Sequence, residues 1–264
     1  PMVAFLESCY RDLGLVGGYS NRNSTLMPDV ASTYYGFNAL FFLNDTVPGL
    51  NLEVSAERRT KTQAGFDMLY DSTTGGYSAY PGNISDVFST FYVVQVSNLL
   101  NIPLVNETAT IEFAKGCQNY DGGFTTNEVD FNQNLTLSRR SVSTMAAAYS
   151  VINILTILGA ELEPESLAKY LEWKKQYRSN SGLFGYITLD AQYQGVHSIL
   201  ISDPDALSKP GKIAGENITI FIAQCYHEDG GYGTIPESAS NLYATFCAIK
   251  TIGSLFPQTN YTLP

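Results

Sequence analysis

Three groups of residues in this 264-residue chain have the types and spacing to do chemistry. Cys225, His227 and Asp229 offer sulfur, nitrogen and oxygen donors two positions apart, the mixture a zinc ion takes. Cys225, however, closes an Ile218, Phe221, Ile222, Cys225 stripe with i, i+3, i+4, i+7 spacing, which buries it on a helix face. His227, two positions on, points elsewhere, so the expectation is a buried thiol beside an exposed histidine. Tyr193 and His197 lie four apart on an expected helix and share its face, as the acid–base pair of a polysaccharide lyase would. They come without a neutralising partner. Disulfides are the third candidate chemistry, with Cys225 to Cys247 the pairing considered.

A modification signal is stronger than any of these. Asn-x-Ser/Thr occurs at Asn23, Asn44, Asn83, Asn106, Asn134, Asn217 and Asn260. Eighteen asparagines in a chain with 45 serines and threonines would produce roughly three such sequons by chance. All seven are expected in loops, at helix ends or in the tail, where a bulky glycan fits.

Composition narrows the setting. The chain is 44% hydrophobic and 15% charged, which describes a folded globule able to bury roughly three quarters of its unfolded surface. Its net charge of −10 excludes nucleic acid as a partner, because neutralising phosphates needs clustered Lys and Arg. The longest apolar stretch, Met145 to Leu158, is interrupted by Ser150, Asn153 and Thr156 and is too short to span a bilayer. Residues 1–10 have no basic region and no cleavage site. A chain beginning at Pro1 is expected to be a processed form or a fragment from which an upstream signal has been removed.

The elements that must position these residues are repeats. Gly-Gly-aromatic turns stand at Gly17-Gly18-Tyr19, Gly75-Gly76-Tyr77, Gly122-Gly123-Phe124 and Gly230-Gly231-Tyr232, with a degenerate copy at Gly182-Leu183-Phe184-Gly185-Tyr186. The mean interval, roughly 53 residues, accommodates two helices and their loops. Before each turn an aromatic residue precedes a Cys or Tyr by four: Phe5 and Cys9, Phe66 and Tyr70, Phe113 and Cys117, Trp173 and Tyr177, Phe221 and Cys225. Three cysteines thus share one repeat position with Tyr70 and Tyr177, which suits packing. The turn glycine fits a left-handed helix cap. After each turn a helix opens with Ser32-Thr33, Ser89-Thr90, Ser143-Thr144 or Ala244-Thr245. Helices over Phe88–Leu100 and Met145–Leu158 are apolar nearly all round, whereas Ala56–Leu69 and Pro164–Tyr177 carry charges, so buried and solvent-facing helices alternate. About five helical hairpins in an inner and an outer layer, forming one all-α domain over residues 1–264, are expected.

The segments Cys117-Gln118-Asn119-Tyr120-Asp121-Gly122-Gly123-Phe124 and His227-Glu228-Asp229-Gly230-Gly231-Tyr232-Gly233, with the stretch from Gly75 to Leu100, resemble the repeats of protein prenyltransferase β subunits and of squalene and terpene cyclases. The resemblance implies an α/α toroid, which in that superfamily usually closes with six hairpins. It implies no single reaction, since one fold hosts several functions. The prenyltransferases hold a catalytic zinc with an Asp, a Cys two residues later, and a His before a Thr. Here the residues two before the cysteines are Glu7, Lys115, Ala223 and Thr245, and the positions matching the His are Ser32, Ser89, Ser143 and Ala244. The cyclases' Asp-x-Asp-Asp is missing, Asp203-Pro204-Asp205 having two acids of the three. The Cys-Gly-Glu-Gln of complement-type thioester domains, which share the toroid, is missing too.

With those motifs gone, no catalytic residue, metal or cofactor is expected. The expectation is a non-catalytic, N-glycosylated interaction module, with protein partners, in an extracellular or secretory-lumen assembly. The alternative is an enzyme or binding protein holding an isoprenoid or carbohydrate at the toroid centre, against inner-helix aromatics such as Tyr34, Tyr35, Phe91, Tyr92 and Tyr149.

Overall fold

The computed structural model describes residues 2–20, 27–46, 53–127, 142–176, 189–202, 215–228, 232–239 and 242–255. In chain order these form α1 (Met2–Cys9), β1 (Tyr10–Asp12), β2 (Gly17–Tyr19), α2 (Val30–Thr46), α3 (Ala56–Asp67), α4 (Val87–Leu100), α5 (Glu107–Gly116), α6 (Met145–Ile157), α7 (Pro164–Gln176), α8 (Leu189–Ser202), α9 (Gly215–Gln224) and α10 (Leu242–Leu255). They group into two compact units, one built mainly on residues 1–118 and the other mainly on residues 162–264, with α6 divided between them.

The alternation of helix character holds where it can be compared. In α4 the buried residues include Val87, Phe91, Val93, Val94, Val96 and Leu100, whereas α3 buries only Thr62 and Phe66. The small-residue pairs have a specific job. Asp86 caps α4, accepting from the Phe88 and Ser89 N–H groups at 2.9 Å, and the Ser89 hydroxyl donates to its second oxygen at 2.6 Å. Thr90 then accepts the N–H of Tyr77, the turn aromatic, at 2.9 Å. Asp29, Ser32 and Thr33 repeat the arrangement, with Tyr19 N–H on Thr33 at 3.0 Å. Each pair ties a helix start to the turn before it.

Ser143-Thr144 departs from this pattern. The pair precedes α6 and does not lie within it: Thr144 is the cap, accepting the Ala147 N–H at 3.1 Å, and Ser143 donates to Asp121 at 2.7 Å. Thr144 takes the place that Asp86 has in the second repeat: its N–H donates to the carbonyl of the turn aromatic, Phe124, at 2.9 Å, as that of Asp86 does to Tyr77 at 3.0 Å. The first turn differs as well. Its three additional residues build a hairpin, pairing Tyr10 with Tyr19 and Asp12 with Gly17, and the positive φ falls at Gly14 instead of Gly17. Elsewhere the hairpin shrinks to single bridges, Tyr70 to Tyr77 and Tyr226 to Tyr232.

The turn glycines are required by the next outer helix. A Cβ on Gly75, whose φ is 85°, would lie 2.4 Å from the Ala109 carbonyl oxygen of α5, and one on Gly76 would lie 2.8 Å from the Phe113 ring. Gly122 and Gly123 meet Lys169 and Trp173 of α7 in the same way, at 2.3 and 2.4 Å. The repeated aromatics Phe113 of α5 and Trp173 of α7 therefore each seal the turn that came before them. The degenerate turn Gly182–Tyr186 lies outside the described residues.

Candidate functional site

In the first unit, α2 and α4 pack side by side and bring four rings together. Tyr34 lies 5.0 Å from Tyr92, 5.1 Å from Tyr35 and 5.6 Å from Phe91, centroid to centroid. The Tyr35 and Tyr92 hydroxyls approach to 3.4 Å. Phe91 is buried, while Tyr35 is 51% exposed, so the cluster is a packed wall with one face in water. Burial, and then the Tyr35 hydroxyl, push the Tyr92 phenol well above its ordinary range. An aromatic shelf with phenol edges can hold an apolar chain or the C–H face of a sugar.

The second unit carries a more polar group. Tyr149 of α6 and Tyr193 of α8 meet through their hydroxyls at 3.0 Å. The Tyr193 and His197 rings lie 4.4 Å apart, so the sequence pair does share a face. His197 Nε2 reaches Ser254 Oγ of α10 at 2.9 Å. Sequence reasoning missed Ser254, because only the packing of α8 on α10 places it there. A serine on an imidazole nitrogen has the contact of a nucleophile and its base; catalysis would also need an orienting acceptor and oxyanion donors.

The sequence's metal candidate separates. Cys225 is buried, its thiol pushed up to about 11 by burial, and Asp229 lies outside the described residues. His227 is not the exposed histidine expected: it is half-buried, with Nε2 enclosed and unbonded, because the chain folds back beside it at Gly233. Cys9, Cys117, Cys225 and Cys247 are all buried and none forms a disulfide, so no bridge joins Cys225 to Cys247. Among the described residues no three His, Cys, Asp or Glu side chains gather to hold an ion. The zinc of the prenyltransferases does not fit the residues here: Ser32, Ser89, Ser143 or Ala244 stands where its histidine would, and Glu7, the one carboxylate two before a cysteine, is bound to Arg58.

Four sequons fall on described residues. Asn83 is exposed in the loop before α4. Asn106 caps α5, its side chain accepting the Ala109 N–H at 3.0 Å. Asn217 stands exposed in the first turn of α9, and Asn44 is in the last turn of α2. These are loop and helix-end positions. Asn23, Asn134 and Asn260 lie outside the described residues.

The helical hairpins and their Gly-Gly-aromatic turns define a class: the chain belongs to the prenyltransferase alpha-alpha toroid domain family, whose model matches residues 1–134 and again 131–260. Among solved structures it is similar to a protein geranylgeranyltransferase-I of Candida albicans complexed with GGPP, with a TM-score of 0.69 and 13% identity over 97% of this chain and 77% of that one. It is also similar to a GH76 α-mannanase of Bacteroides thetaiotaomicron, with a TM-score of 0.55 and 11% identity over 96% of this chain and 76% of that one. No curated protein matches the sequence. Among the described residues no helix is long and apolar enough to cross a membrane.

Proposed function

We propose that this toroid is a non-catalytic, N-glycosylated interaction module of an extracellular or secretory-lumen assembly. The observation that carries the reading is the placement of the sequons. Asn83, Asn106 and Asn217 are all exposed, at loop or helix-end positions, so a glycan at any of them displaces no core side chain. The donor sets of the family's enzymes are incomplete: no histidine precedes the helix-opening Thr, and the three-acid Asp-x-Asp-Asp is missing. Asn-linked glycans are added only in the secretory lumen, so occupancy decides the compartment. Intact mass before and after enzymatic deglycosylation tests it, with at least three sites expected to be occupied. Bare asparagines at all seven would overturn the proposal. Crosslinking in the native secretion would then identify the protein partners.

A second reading has one observation of its own. The half-exposed Tyr35, backed by Tyr34, Phe91 and Tyr92, is a ready wall for an isoprenoid or a carbohydrate. The likenesses to a GGPP complex and to a mannanase support asking about both ligand classes. Quenching of tyrosine fluorescence by a prenyl diphosphate or a mannan oligosaccharide, abolished by Tyr35→Ala, would favour it.

A further inference from the structure

Tyr80 has no packing role to explain it. Its ring is 57% exposed and makes no ring contact among the described residues. It opens the segment Tyr80-Pro81-Gly82-Asn83, in which the Asn83 N–H donates to the Tyr80 carbonyl at 3.1 Å. Proline at the second position and Gly82 with φ at 80° make this a type II β-turn. Such a turn holds the Cα atoms of its first and fourth residues within about 7 Å. The Ser78 hydroxyl donates to the same Tyr80 carbonyl at 2.7 Å, so the backbone holds the turn without help from the ring.

We infer that Tyr80 is a positioning platform for a glycan on Asn83, with the first N-acetylglucosamine lying against its ring. The inference rests on the glycosylation reading above and specifies it at one site. The sugar ring has a face of C–H bonds carrying slight positive charge, and the face of a phenol ring is negative, so the two attract as edge-to-face aromatic pairs do. Burying that face against Tyr80 also removes apolar surface from water on both sides. Asn83 is suited to this as its side chain makes no hydrogen bond among the described residues and stands on the turn with Tyr80. Asn106 is committed instead to capping α5, and Asn44 and Asn217 sit within helical turns.

The test is a double-mutant cycle on the full chain secreted from a eukaryotic host. Glycopeptide mass spectrometry first establishes whether Asn83 is modified, and an endoglycosidase then trims every glycan to one N-acetylglucosamine. Tyr80→Ala is expected to lower the Tm of this material by about 2 °C and to leave the Asn83→Gln chain unchanged. Tyr80→Phe, which keeps the ring, should retain the wild-type Tm in both. An equal loss with and without the sugar would overturn the stacking and leave glycosylation standing. A bare Asn83 alongside other occupied sequons would overturn the inference alone, and seven bare sequons would overturn the parent reading with it.

Discussion

The inner-helix clusters of the two units start from one pattern and end differently. Tyr34 on α2 and Tyr149 on α6 each have an asparagine four residues later, Asn38 and Asn153, whose amide donates back to the tyrosine carbonyl at 2.8 Å. In the first unit the neighbouring positions add Tyr35, Phe91 and Tyr92, and the result is a wall of rings touching water at Tyr35. In the second, Tyr193 and His197 come from α8, and Ser254 of α10 completes a hydrogen-bonded set. Repetition therefore fixes where an aromatic stands, while its neighbours decide whether the cluster opens to water or closes into a hydrogen-bonded clamp.

The sharpest way to break that distinction is to remove one ring from each cluster. Tyr193→Ala empties a buried site and is expected to cost about 3 kcal/mol, read as a lower urea midpoint. Tyr35→Ala, half in water, should cost less than about 1 kcal/mol. Equal losses would mean that the first cluster is simply core, and the exposed-shelf reading would go.

Ser254→Ala probes the clamp itself. Losing the hydroxyl from His197 should cost about 1 kcal/mol and loosen α8 against α10, seen as faster amide exchange in both helices. Unchanged exchange would reduce the pair to a chance contact.

The first unit offers a pH test. The Tyr92 phenol titrates above its ordinary range because burial, and then Tyr35, disfavour the phenolate. A folded pKa raised above the unfolded value of about 10 leaves stability intact below that pH and removes it as pH climbs towards the folded value. Urea midpoints should therefore fall between about pH 10 and 11, and Tyr92→Phe should fall less steeply. A parallel decline in wild type and variant would assign the alkaline loss to other tyrosines, such as Tyr77, which burial pushes up to about 12.

What the sequence disclosed follows range. The helix over α4 was legible within one residue at its start, because nearly every position is apolar, and the Ile218 to Cys225 stripe is buried as its spacing required. The role of Ser89-Thr90 was not legible, since it depends on an aspartate cap and on a backbone N–H thirteen residues away. Ser254 was hidden for the same reason at longer range, 57 residues from His197. His227 misled because its enclosure comes from a turn folding over it and not from its own helix. The glycines announced turns, but the carbonyl of Ala109 and the ring of Phe113, which exclude any Cβ, belong to the next repeat.

The smallest expected effect lies at the acid end of the same unit. Glu7 of α1 receives both guanidinium nitrogens of Arg58 from α3, one at 2.9 Å and the other shorter, and Arg58 also lies 4.3 Å over the Tyr10 ring. The Arg58 hydrogen bonds hold the Glu7 carboxyl below its usual range, against a smaller opposing effect of burial. A depressed folded pKa means that the pair's contribution is complete above the unfolded value of about 4.3 and is lost as pH falls through the folded one. Both side chains are partly exposed, at 39% and 27%, so water and salt screen the pair and the contribution should stay below about 1 kcal/mol. Glu7→Gln is accordingly expected to lower the urea midpoint slightly at pH 7 and to converge on wild type as pH falls through the carboxyl's depressed range. Arg58→Lys separates charge from geometry: it keeps the cation but loses the two-pronged contact and the flat stacking on Tyr10. If it behaves as wild type throughout, charge alone is sufficient, and the paired geometry between α1 and α3 contributes nothing measurable.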